Sequence, residues 1–132
     1  MKFILILILF VAAAFPHDKL VNSIWVMKIT NRCTDSLIFQ PSNRLREYDC
    51  EIEYTFHGTY TNSKDTVITI IKDDSHSEDN GKPLVFRTKY LVRKTTLLPI
   101  GVDHLVKGRW KAFKNEMVTN KHLFEKVNKT TL

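Results

Sequence analysis

Glycine and cysteine are both scarce in this chain, with four glycines and two cysteines among 132 residues. So few glycines leave no glycine-rich phosphate loop, and neither a GxSxG elbow nor a paired-carboxylate signature is present. The five histidines, His17, His57, His76, His104 and His122, are too dispersed for a metal motif such as HExxH, and no CxxC accompanies them. An enzyme, a metal site and a cofactor are therefore not expected. Long apolar runs are missing as well. The one continuous stretch, Phe3 to Val11, falls far short of the roughly 20 residues that span a bilayer.

That stretch has another use. Lys2 precedes it and Ala12-Ala13-Ala14 follows it, giving the charged start, apolar middle and small-residue cleavage site of a secretory signal. Residues 1–14 are expected to be a signal peptide and 15–132 a single exported domain, periplasmic or secreted, with no transmembrane segment once the signal is removed. No cysteine sits at the cleavage point, so a lipoprotein anchor is not indicated. Eight Phe, four Tyr and two Trp supply the material of one packed core and argue against disorder.

The net charge of +6 is unevenly spread. From Phe15 to Val85 eight Lys/Arg stand against eleven Asp/Glu, and from Phe86 to Leu132 eleven stand against three. A basic back segment suits an anionic lipid, an acidic polysaccharide or an acidic protein surface, whereas nucleic acid is not expected outside the cell. A solvated surface is the plainer explanation of the same charges.

Short strands dominate the pattern. Ser23 to Thr30 alternates, with Trp25, Met27 and Ile29 on one face, and strand character returns at Ser36 to Gln40 and Leu45 to Cys50 around the turn "QPSN". "YTFHGTYTNSKDTVITII", residues 54–71, reads as a hairpin. "DDSHSEDNGKP", Asp73 to Pro83, has no apolar period and reads as a loop. Phe86 to Val92 resumes with Phe86, Thr88, Tyr90 and Val92 on one face, Thr95 to Ile100 pairs back on it, and His122 to Val127 can close the sheet. The expected fold is all-β, a small antiparallel up-and-down barrel of about eight strands. The alternative is a small α+β fold with one terminal helix, hidden between Gly101 and Asn120.

Cys33 and Cys50 are the only cysteines, and their midpoint falls at Pro41-Ser42, inside a predicted turn. A regular hairpin about that point sets them opposite each other, within bridging distance, and an exported chain meets an oxidising environment. A disulfide is expected, even if a bulge shifts the register by one.

Two further segments suggest binding. Tested as a calcium loop from Asp73, "DDSHSEDNG" has Glu78 where glycine is required and Leu84 where the bidentate Glu is required, so it reads as a solvated loop. "KGRWKAFK", Lys107 to Lys114, interleaves Trp110 and Phe113 with four cations. The rings suit either an anionic interface or a plug at one end of a barrel, and the plug is favoured. Asn128-Lys129-Thr130 fits a glycosylation sequon.

"NSIW", "CTDSLIF", "YDCEIEYTFHGTYTNSKDTVITI" and "RTKYLVRKTTLLPI", taken with the signal peptide, resemble the small exported lipocalin-like proteins of bacteria. The resemblance covers most of residues 22–127, is most recognisable at Phe56, Gly58, Tyr60, Asp65, Thr66 and Ile68 or Ile70, and implies an up-and-down barrel. In lipocalins a Gly-x-Trp sets a tryptophan at the barrel floor; Trp25 matches it, with Ser23 in place of the glycine.

Two functions follow. In one, a small hydrophobic ligand occupies a cavity shaped by Trp25, Tyr54, Phe56, Gly58, Tyr60, Phe86 and Tyr90. In the other, those rings fill a monomeric barrel whose loops or basic face bind a macromolecule, as inhibitor-type barrels do. Strand alternation places His57 among threonines on the outer wall. Gly58 falls on the inward row, where its missing side chain permits bending or leaves room for a neighbour or ligand.

Overall fold

The computed structural model describes residues 20–77, 81–113 and 123–128. The expected signal peptide therefore lies outside the described residues, as do Lys129 and Thr130 of the sequon, His122, and 114–120 of the segment considered for a helix. Among the described residues nine strands are present, β1 (Ile24–Thr30), β2 (Cys33–Gln40), β3 (Arg44–Asp49), β4 (Tyr54–Ser63), β5 (Thr66–Ser77), β6 (Pro83–Val92), β7 (Thr96–Val106), β8 (Arg109–Ala112) and β9 (Phe124–Lys126). Each pairs antiparallel with its neighbours in the order β6-β5-β4-β3-β2-β1-β9-β7, and β7 pairs back onto β6. The result is a closed eight-stranded barrel, with β8 folded onto the upper part of β7. Among the described residues there is no helix, and so none long and apolar enough to cross a membrane.

Alternation decides which side chains enter the barrel. Trp25, Leu37, Phe39, Leu45, Phe56, Tyr60, Val67, Ile71, Tyr90, Leu97 and Phe124 form one buried cluster, each from an inward row. One end is packed around Trp25. There the indole N–H of Trp25 donates to Ser23 Oγ at 2.8 Å, and the Ser23 hydroxyl donates to the Leu20 carbonyl. Ser23 thus satisfies the indole and ties the entering chain to the floor. Lys126 lays its ammonium 5.7 Å from the Trp25 ring centre, and Phe39 and Tyr60 meet edge to face at 4.9 Å.

Gly58 sits between Leu45 on β3 and Ile71 on β5. A Cβ at this position would lie 2.2 Å from the Ile70 carbonyl oxygen. Close backbone approach therefore requires the glycine, which leaves no vacant volume beside it.

Two local expectations change. Asp73 to Pro83 is not a loop throughout, since β5 runs on to Ser77 and pairs with β6 from Pro83 across a register shift between Asp73 and Ser77. Asp74 and Ser75 of this stretch are exposed and face no core, so it carries no apolar period. The stretch from Gly101 to Phe113 is the rest of β7 with β8, turning at Lys107-Gly108 where both residues have positive φ.

Cys33 and Cys50 are bridged, with Cα atoms 5.3 Å apart. β2 and β3 pair Ser36 with Tyr48 and Gln40 with Arg44, a register that would set Cys33 opposite Glu51. Cys50 lies one residue past the end of β3, and this offset brings it to Cys33.

Candidate functional site

Opposite the Trp25 floor the barrel is not filled. A cavity of about 680 Å³ opens toward the end that carries the disulfide. Its apolar wall includes Met27 and Ile29 of β1, Phe56 of β4, Ile71 of β5, Phe86 and Tyr90 of β6, and Phe124 of β9, with Phe113 near the rim. Phe113 meets Phe86 and His104 edge to face, at 6.0 and 5.5 Å between ring centres. His104 Nδ1 is buried there without a hydrogen-bond partner.

Of the residues expected to shape a cavity, Phe56, Phe86 and Tyr90 line this one. Trp25 and Tyr60 instead belong to the packed floor. Tyr54 is largely exposed near the rim, its ring 4.8 Å from Phe56, and Gly58 is pressed against β5. His57 is exposed on the outer wall, opposite Arg46.

The remaining lining is acidic. Asp35 of β2, Glu47 and Asp49 of β3, Glu51, and Asp73 of β5 all border the cavity, while no Lys, Arg or His among the described residues does. These residues were readable from strand parity. Leu37 and Phe39 point inward, so Asp35 does too; Leu45 points inward, and Glu47 and Asp49 follow it. Attention to aromatic rows alone passes over them.

The carboxylates differ in their support. Asp35 accepts the Cys50 amide at 2.9 Å, and Asp49 accepts the amides of Glu51 at 2.9 Å and Ile52 at 3.3 Å. Glu47 lies one pleat deeper, between Leu37 and Phe56, and among the described residues its carboxylate has no hydrogen-bond donor. Burial, with Asp35 and Asp49 adding to it, pushes the Glu47 carboxyl up to about 7. Burial likewise holds Asp35 above its ordinary value against the pull of the Cys50 amide, helped by Asp49 and Glu51. The Tyr90 phenol is raised well above its usual value by burial first and by Glu47 second, while the hydroxyls of Thr88 and Thr69 oppose this.

Cys33, Asp35 and Cys50 bring three ligand-type atoms within 4.8 Å of one another. The two sulfurs are joined in the disulfide, so no thiolate is available to a metal. In "KGRWKAFK" the two rings part company. Phe113 reaches the cavity rim, but Trp110 stacks on the outer wall against Arg87, whose guanidinium carbon lies 4.5 Å from the ring centre. Arg87 is further held by Asp103, with contacts of 2.5 and 2.9 Å.

Compared with known proteins, the chain matches no family model, and no curated sequence or solved structure aligns with it significantly.

Proposed function

We propose that this protein is an exported, non-enzymatic barrel of lipocalin-like type that holds a small hydrophobic ligand in the open half of its interior. The observation that carries the reading is the cavity of about 680 Å³, walled by rings and aliphatic side chains. That size lies within the roughly 300–1,000 Å³ usual for small-molecule sites, which are mostly apolar with a few polar groups. Export is supported by the charged and apolar start of the sequence and by the Cys33–Cys50 bridge, which suits an oxidising compartment.

Binding through the outer face is the second reading. The basic back segment favours it, although Arg87 is already engaged by Asp103 and Trp110. Organic extraction and mass spectrometry of protein purified from its own compartment separate the two. A stoichiometric small molecule is expected; its absence together with a co-purifying protein would favour the outer face.

A further inference from the structure

We propose that the ligand is a protonated organic amine whose apolar body lies among the rings of the cavity and whose ammonium meets Glu47. This rests on the cavity reading and adds the charge of the occupant. A chain with a net charge of +6 lines this cavity with five carboxylates and, among the described residues, no cation. An anionic amphiphile entering there would meet like charge on the walls, while a neutral one would leave the half-buried Glu47 carboxylate unmatched.

Glu47 is the contact point for three reasons. It is the deepest acid, it faces the cavity, and no donor among the described residues satisfies it. Asp35 and Asp49 are held by backbone amides, so they add field more than a free acceptor. Phe56, paired with Glu47 on the next strand, and Tyr90 line the same cavity, and aromatic rings attract a cation.

The groups facing Glu47 are Asp35 from β2, Asp49 from its own strand and Tyr90 from β6, with Asp73 and Glu51 nearer the rim. None is a cation. An arriving ammonium therefore stabilises ionised Glu47, and the proton that Glu47 held passes to solvent.

Isothermal titration with three probes sharing one apolar body, phenylbutylamine, phenylbutanol and phenylbutyrate, tests this. At about pH 8 the amine is expected to bind at least about tenfold tighter than the other two, the strength of one charge-assisted hydrogen bond. Glu47→Gln is expected to bring the amine down to the level of the alcohol while alcohol binding persists. Should that variant fail to fold, titration of the unaltered protein near pH 7 in buffers of different ionisation enthalpy gives the second readout, with release of roughly half a proton per amine expected. Equal binding of all three probes, or preference for phenylbutyrate, would overturn the amine while leaving the cavity reading intact. Binding of none would overturn both. Amine binding unaffected by Glu47→Gln, or without proton release, would remove Glu47 from the site.

Discussion

The two ends of the barrel interior are built from the same alternating rows and hold opposite contents. At the floor, Trp25, Leu37, Phe39, Leu45, Tyr60, Val67 and Leu97 are buried against one another. The rim of that end is basic, with Lys64, Arg93, Lys94 and Lys126 around a second recess of about 390 Å³ that reaches Leu20 and Trp25, and with Asp65 the one acid among the described residues there. At the other end the rows continue as Asp35, Glu47, Asp49 and Asp73, the packing opens, and the rim is acidic. Close packing and open space thus occupy different halves of one barrel. A small barrel cannot both pack its interior and keep space in it, unless the two tasks are separated along its axis.

Substitutions can break this division, and the largest effect belongs to the floor. Trp25→Ala should cost about 3–5 kcal/mol, because the cavity it leaves cannot collapse against rigid strands. Phe86→Ala, which borders space already open, should cost well under half of that. Urea denaturation of both variants checks the pair, and equal losses would erase the distinction. Replacing Cys33 and Cys50 together by serine should cost about 3 kcal/mol for a loop of this size. That double change should also loosen the mouth, where the Cys50 amide holds Asp35.

Gly58→Ala should cost about 1–3 kcal/mol in the same denaturation experiment, since its Cβ would meet the Ile70 carbonyl backbone rather than a movable side chain. Gly58 also marks the limit of what the sequence discloses. Its inward position was legible from alternation, but whether it faced space or backbone depended on the coiling of β4 against β5, a property of no single strand. The barrel, the bridge and the inward rows follow from local patterns that agree with one another. The acids were legible too, through the parity of Leu45 with Glu47 and Leu37 with Asp35. What no row announces is that the rows part at Glu47 and converge at Leu45, because that depends on all eight strands closing together.

A smaller effect sharpens the comparison by pH. The Glu47 carboxyl lies near 7 in the folded protein, against an ordinary value of 4.5. The folded state therefore keeps a proton that the unfolded state has lost, and stability falls as pH rises from about 4.5 to about 7, then levels. Asp35, also raised, adds to the lower part of that slope. Glu47→Gln should remove most of it and stabilise the ligand-free protein at about pH 8 by roughly 1–3 kcal/mol, read from thermal unfolding across the pH range. Smallest of all, Lys126→Ala should cost under about 1 kcal/mol, since its ammonium sits over the Trp25 ring at a partly exposed position. A larger loss would mean that the floor depends on charge as well as on packing.

The division between a packed basic floor and an open acidic mouth is tested most directly by nuclear magnetic resonance titration of the protein with phenylbutylamine. Perturbed signals should cluster on Glu47, Phe56, Phe86, Tyr90 and Phe124, leaving Lys64, Arg93 and Trp25 unmoved. Perturbations centred on the floor or on the outer wall at Trp110 would contradict the account.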